Sequence, residues 1–148
     1  MAEYTVPQLQ MLASSIATTV GISVPLFLRL ITQESAWNPS AVNPVSGCTG
    51  LCQLHPRYFG GEGIDLTDPE VNLRIGSREI YRLWETYRYS WFDALARYNH
   101  GAGNVQDLIA RHGEDWAAHL PSETKSYIDI VLFGDDAKAV LNMRRPGR

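Results

Sequence analysis

Apolar residues in this chain recur at helical spacing and are interrupted by clear helix stop signals. The first apolar stripe runs at three- and four-residue steps through Leu9, Leu12, Ile16 and Val20. Gly21 follows it, at the position where a glycine commonly ends a helix. No segment alternates apolar and polar residues with the period of two that indicates a strand. The sequence therefore predicts an all-α fold.

Several other segments carry helix start signals. Ser23 and Pro25 predict a second helix that runs to about residue 36. The run Asp68-Pro69-Glu70 combines a capping side chain, an N-terminal proline and an acid that the helix dipole favours. Later helices are predicted over residues 91–98, 104–112 and 123–133, with Gly113 ending the second of these and Ser122 capping the third.

Residues 38–67 break the helical pattern. Prolines and glycines recur throughout this stretch, which leaves room for at most a short helix near residues 51–54. Irregular segments of this length are uncommon in compact domains unless they serve a function. We therefore expect this segment to belong to a site.

Length and charge limit the possible functions. A chain of 148 residues suits one domain, here expected as a single catalytic domain with its core at about residues 7–134 and a tail at 135–148. The net charge of −3 argues against nucleic acid or anionic lipid as a partner. The sequence shows no membrane span and no signal peptide.

Cys48 and Cys52 are the chain's two cysteines, and they lie four residues apart. Two cysteines without a nearby histidine pair supply too few ligands for a structural zinc site. Two free thiols and a local disulfide that pins the loop both remain open.

Glu34 stands at the end of an apolar helical stripe. The stripe is formed by Phe27, Leu30 and Ile31, which precede it at helical spacing on the same face. Desolvation raises the pKa of a carboxyl group, and a neutral carboxylic acid can donate a proton to a leaving oxygen. The alternative is a glutamate that ends its helix and reaches solvent or pairs with an arginine.

Five short motifs follow one another along the chain. They are Glu34-Ser35, Gly50-Leu51-Cys52-Gln53, Asp68-Pro69-Glu70-Val71-Asn72, Ala96-Arg97-Tyr98-Asn99 and Glu123-Thr124 with Tyr127. In this order and at these spacings they resemble the lytic transglycosylase family, whose catalytic domain is similar to goose-type lysozyme. The resemblance covers about residues 10–133. It implies a lysozyme-like helical domain whose active-site cleft is bordered by the irregular segment.

The resemblance also implies roles for residues of the first half. Glu34 matches the single catalytic carboxylate, which protonates the glycosidic oxygen and then acts as the base. Ser35 matches a supporting contact beside it. Gln53 matches a glutamine that lines the cleft, although it could instead brace its loop. Asn43 stands where the family often has a small polar residue that contacts the N-acetyl group.

In the second half the matching residues are Tyr98, Asn99, Glu123 and Tyr127. Tyr98 and Asn99 match the pair that positions sugar beside the acid, and Glu123 and Tyr127 match a pair close to the site. A core aromatic is the alternative for Tyr98. A favourable interaction with its helix dipole is compatible with a site role for Glu123.

The chain also departs from the family pattern. Cys52 replaces the usual methionine, and His55 stands where methionine is common. His100 stands where the family usually has alanine. An extra residue between Asn43 and Gly50 makes the alignment of Asn43 the least secure.

The implied reaction is cleavage of the MurNAc-β-1,4-GlcNAc bond of peptidoglycan glycan strands with formation of 1,6-anhydro-MurNAc. The sugar's own groups replace the second carboxylate that most glycosidases need. Nothing in the sequence demands a metal or an organic cofactor. One alternative is a goose-type lysozyme-like hydrolase, with Asp65 or Asp68 holding the water. Another is a non-catalytic peptidoglycan-binding or structural module.

The expected place of action is the cell wall or periplasm. Because the sequence shows no signal peptide, the expected delivery routes are phage lysis, a virion or a specialised secretion route. Phage virion or secretion-system components are the corresponding expected partners, and an endolysin of a bacteriophage is the favoured setting.

Overall fold

The protein is described by a computed structural model that covers residues 3–134. These residues form helices joined by turns and one long irregular segment, so the all-α prediction is confirmed. The α-helices are α1 Val6–Val20, α2 Val24–Ser35, α3 Pro56–Phe59, α4 Pro69–Thr86, α5 Trp91–His100, α6 Ala102–His112 and α7 Ser122–Phe133, with a 3₁₀ helix at Gly113–His119. The described residues divide into two compact units, the first ending at Tyr81 and the second beginning at Arg82, within α4. The expectation of a single catalytic domain stays a prediction.

In the first unit, α1 packs against α2, and both have strong local stop and start signals. Thr5 and Gln8 form a reciprocal capping box at the start of α1. Gly21 ends α1 in the left-handed conformation, with φ of 97°. Ser23 caps α2 by accepting a hydrogen bond from the Leu26 amide, as the sequence predicted. These caps fix where α1 begins and ends and where α2 begins.

The segment 38–67 is held by turns and isolated bridges. Thr49 pairs with Val42 on one side and with Leu54 on the other. The short helix lies at Pro56–Phe59, so its predicted position near residues 51–54 was wrong. Gln53 takes a positive φ of 52°, which turns the chain where a helix would continue. His55 caps α3, and Pro56 lies at its first position.

The second unit contains α5, α6, the 3₁₀ helix and α7, with α5 packed against both α6 and α7. Ser90 caps α5 by accepting from the Asp93 amide. The prediction that Ser122 caps the last helix was wrong. The helix begins one residue earlier than expected, with Ser122 as its first residue, and it has no side-chain cap hydrogen bond. The 3₁₀ helix was not predicted.

No helix within residues 3–134 is long and apolar enough to cross a membrane. The predicted tail at 135–148 lies outside the described residues.

Candidate active site

Glu34 lies in the last turn of α2, at the end of a fully buried apolar stripe. Phe27, Leu30 and Ile31 have no exposed surface, whereas Glu34 is half-buried. The stripe therefore carries the carboxyl group from the core towards the surface.

The chain leaves α2 by an abrupt turn directly after Glu34 and Ser35. Ala36 and Trp37 both have left-handed backbones, with φ of 50° and 65°. Such conformations cost free energy in residues other than glycine, and they persist only where the surrounding structure enforces them. The Trp37 indole is buried and donates a hydrogen bond of 2.9 Å to the Thr32 hydroxyl. This side chain therefore fixes the turn that ends α2.

Ser35 is half-buried, and its hydroxyl donates to the Ile31 carbonyl at 3.2 Å. This bond occupies the hydroxyl hydrogen within α2. The oxygen lone pairs remain the part of the side chain that can accept a hydrogen bond. The supporting role implied for Ser35 stays a prediction.

Cys52 lies close to Glu34 within the first unit. Complete burial raises the pKa of the Cys52 thiol far above its ordinary value, and the negative charge of Glu34 raises it further. The Cys52 thiol near the Glu34 carboxyl group is therefore neutral. Cys48 is half-buried, and the two cysteines are not bonded to each other, which selects free thiols over a disulfide.

Gln53 braces the irregular segment through its side-chain amide. Its Nε2 group donates to the carbonyls of Ala41 and Gly50, each at 3.1 Å. The half-buried side chain therefore ties the turn at residues 50–53 to the earlier part of the segment. The two donated bonds leave the Oε1 atom as the group that can face a sugar. That contact stays a prediction.

Asn43 is exposed and organises a turn. Its side-chain oxygen accepts from the amides of Val45 and Ser46 at 2.9 and 3.0 Å. This is the local bonding by which asparagine stabilises turns. The side-chain nitrogen is the remaining donor towards an N-acetyl group, and that role also stays a prediction.

The two acids considered as partners for a catalytic water both hold local structure. The exposed Asp65 carboxylate accepts from the amide and hydroxyl of Thr67, and these bonds lower its pKa. Asp68 accepts from the Val71 amide at 3.0 Å and so caps α4. The sequence motif identified this capping role correctly.

In the second unit, Tyr98 and Asn99 occupy the last turn of α5. Tyr98 is half-buried and Asn99 is exposed. The preceding residue, Arg97, is buried and pairs with Asp93 one turn earlier. Its guanidinium also lies 3.4 Å from the centre of the Tyr87 ring. Arg97 thereby anchors the turn that carries Tyr98 and Asn99.

Glu123 and Tyr127 lie one turn apart on α7. Glu123 is exposed in the first turn, where a carboxylate interacts favourably with the helix dipole. Tyr127 is buried. Because α7 packs against α5, one pair of adjacent helices carries all the predicted site residues of the second unit.

The second unit also contains a cavity of about 540 Å³. Its walls include Asp93, Arg97 and Trp116, but none of the predicted site residues. This cavity is therefore separate from the residues to which the motifs assign chemistry.

Sequence reasoning gave no role to two residues that organise the site segments. Asn72 is fully buried and bonds to the backbone of the irregular segment, while Arg97 anchors the end of α5. Each lies inside one of the five family motifs, and that position was the one sequence signal that pointed to it. Their burial could not be read from the sequence, because asparagine and arginine are mostly exposed in proteins.

Comparisons with known proteins agree on one family. The soluble lytic murein transglycosylase of Escherichia coli K12 is 30% identical in an alignment 125 residues long, which covers 73% of this chain and 19% of that protein. A membrane-bound lytic murein transglycosylase F of Vibrio cholerae is 35% identical in an alignment 143 residues long, which covers 81% of this chain and 27% of that protein. The chain thus spans between about a fifth and about a quarter of these relatives' lengths.

Solved structures of lytic transglycosylases are similar to this chain. The 70 kDa soluble lytic transglycosylase of Escherichia coli superposes with a TM-score of 0.69 at 26% identity, covering 89% of this chain and 24% of that one. An inactive glutamate-to-glutamine mutant of the Pseudomonas aeruginosa enzyme Slt gives 0.68 at 25% identity, covering 92% and 25%. The predicted lysozyme-like helical fold is therefore confirmed.

The family model of the transglycosylase SLT domain matches residues 11–120. That range contains Glu34, Gln53, Tyr98 and Asn99 and ends before Glu123. With three quarters of the chain matched by one model, and relatives and structures of the same kind, this chain belongs to the transglycosylase SLT domain family.

Proposed function

We propose that this domain is a peptidoglycan lytic transglycosylase that cleaves the MurNAc-β-1,4-GlcNAc bond and forms 1,6-anhydro-MurNAc, with Glu34 as its single acid and base. The observation that carries the proposal is the position of Glu34, half-buried at the end of a buried stripe and close to the buried Cys52 thiol. Family membership and the names of the relatives support the same reaction.

The first step is general acid catalysis by Glu34. The carboxyl proton passes to the glycosidic oxygen, and the bond from that oxygen to C1 of MurNAc breaks. The N-acetyl carbonyl of the same sugar stabilises the positive charge that develops at C1. The expected sugar contacts are Tyr98, Asn99 and Gln53.

The second step returns the proton. The Glu34 carboxylate takes a proton from the C6 hydroxyl of MurNAc, and O6 bonds to C1. This closes the 1,6-anhydro ring, restores the neutral acid and consumes no water. An intramolecular hydroxyl has a high effective molarity, which favours it over water that no protein group activates.

A hydrolase of the same bond is the second candidate, and it needs a carboxylate that holds the attacking water. Asp65 accepts two bonds from Thr67, and Asp68 caps α4, so each has a local task in the fold. These bonds favour the transglycosylase over the hydrolase. A binding module without catalysis would not require a half-buried acid at the end of α2.

The proposed place of action is the cell wall or periplasm, since the relatives are named as soluble and membrane-bound murein transglycosylases. Delivery by phage lysis, in a virion or through a secretion system stays a prediction of the sequence.

The substitution Glu34→Gln tests the assignment. It preserves the shape of the side chain but removes the proton donor, so we expect peptidoglycan clearing to fall by ~10²–10⁴-fold or more while the melting temperature stays near that of wild type. Turbidity loss of purified peptidoglycan measures the first quantity. Glu70→Gln is a matched control on the exposed face of α4. Near-wild-type clearing by Glu34→Gln would exclude Glu34 as the acid.

A further inference from the structure

Asn72 is a buried hydrogen-bonding hub between α4 and the irregular segment. Its side chain has no exposed surface, and its Nδ2 group donates to the carbonyls of Thr49 and Leu66, each at 2.9 Å. Its Oδ1 atom accepts from the Cys52 amide at 2.7 Å. The carbonyl oxygen and the amide nitrogen of the Asn72 side chain are therefore both hydrogen-bonded. All three partners are backbone groups of the irregular segment, which lie outside the regular helices.

Gly50 shows how closely the segment approaches this hub. A Cβ atom at Gly50 would lie 2.2 Å from the Asn72 Nδ2 atom and 2.4 Å from the Leu66 carbonyl oxygen. Only a residue without a side chain leaves this space, and Gly50 also has a positive φ of 82°. The backbone at residues 49–52 is therefore seated directly on the Asn72 side chain.

The backbone of residues 49–52 holds the Cys52 side chain near Glu34. The Cys52 thiol is fully buried, and the Glu34 carboxylate lies near enough for its charge to act on that thiol. One residue further on, Gln53 braces the same turn. A change at Asn72 would therefore reach the surroundings of the acid without Asn72 touching the substrate.

We propose that Asn72 is a positioning residue for Glu34, because its side-chain amide holds residues 49–52 and with them the Cys52 side chain near the carboxyl group. The inference rests on the proposed function for its effect on catalysis. It gives the Asp68-Pro69-Glu70-Val71-Asn72 motif a physical task, since Asp68 starts α4 and Asn72, one turn later, fastens the segment to that helix.

The reactivity of the Cys52 thiol reports this position. In a Cys48→Ser background Cys52 is the single thiol, and its burial should keep it unreactive towards an aromatic disulfide reagent in the folded protein. We expect Asn72→Ala to raise its labelling rate at least ~10-fold at a temperature well below melting. Ser77→Ala is the matched control, since Ser77 is equally buried on α4 but bonds within that helix, to Arg74.

The catalytic readout uses the same variants with intact Cys48 and soluble glycan strands. Displacement of residues 49–52 near Glu34 should lower kcat at least ~10-fold while KM changes less, because small misplacements of reacting groups lower the reaction rate strongly. Ser77→Ala should keep both parameters near wild type. Amide hydrogen exchange of the wild-type protein adds a measurement that needs no variant. The Cys52 amide should be protected to the level of core helices.

The possible failures are distinct. Wild-type protein that releases no muropeptides would refute the proposed function, and thiol labelling would still test whether Asn72 holds the segment. Active wild type, with Asn72→Ala matching Ser77→Ala in labelling and in kcat, would overturn the positioning role. Rapid exchange of the Cys52 amide would overturn it as well, even if Asn72→Ala failed to fold.

Discussion

Two of the regions that carry predicted site residues are held in different ways. The irregular segment 38–67 is held by turns, isolated bridges and side chains that bond to its backbone, among them Asn72, Gln53 and Asn43. The last turn of α5, with Tyr98 and Asn99, is positioned by repeating backbone bonds and by the buried Arg97. Single side-chain changes should therefore displace the first region, whereas in the second they should remove individual functional groups.

The largest effect expected in the segment comes from Gly50→Ala. Any left-handed residue other than glycine costs ~1–2 kcal/mol, and forced overpacking adds ~1–3 kcal/mol. Gly47→Ala is the matched control, because Gly47 also has a positive φ but nothing lies within 4 Å of an added Cβ. We expect Gly50→Ala to lose at least ~10²-fold in activity and Gly47→Ala to lose little. Equal stability and activity of the two variants, measured by urea unfolding and turbidity, would contradict the close packing of Gly50 against Asn72.

A smaller effect is expected from Tyr98→Phe in the helical region. If the hydroxyl orients sugar beside the acid, activity should fall at least ~10-fold, while the free energy of unfolding falls by about 1 kcal/mol. Tyr89→Phe is the control, since Tyr89 is largely exposed in the same unit. A fully active Tyr98→Phe protein that melts several degrees lower would identify Tyr98 as a core aromatic.

The smallest effect concerns the Cys52 thiol at alkaline pH. Its pKa is raised in the folded protein, so above the ordinary value of 9.0 the unfolded chain releases a proton that the folded chain retains. Stability should therefore fall as pH rises past this value, by up to about 1.4 kcal/mol per pH unit. Urea unfolding of Cys52→Ala should lack this added slope, whereas Cys48→Ala should retain it. Identical slopes in all three proteins would show that Cys52 is not buried as described.

The helices could be predicted because their signals are local. Gly21, Ser23 and the Asp68-Pro69 pair each act within one turn of the chain, so the end of α1 and the starts of α2 and α4 followed from sequence alone. The short helix α3 was misplaced because Pro56 marks a helix start as readily as a break.

The residues that hold the site segments in place could not be predicted in the same way. Asn72 bonds to residues 20 and 23 positions earlier, and no local pattern signals such partners. Arg97 is buried by Tyr87 and Asp93, although arginine is usually exposed. The motifs identified the candidate site residues, and the structure identified the buried side chains that hold them in place.

The product of the reaction is the most direct test of Glu34 acting alone. Purified peptidoglycan should be digested in water enriched in heavy oxygen, and the released muropeptides analysed by mass spectrometry. We predict fragments ending in 1,6-anhydro-MurNAc, with no heavy oxygen at the cleaved sugar, because the C6 hydroxyl of the substrate replaces water. Reducing MurNAc that carries the heavy label as the main product would contradict this mechanism and would point to a hydrolase with Asp65 or Asp68 as the second carboxylate.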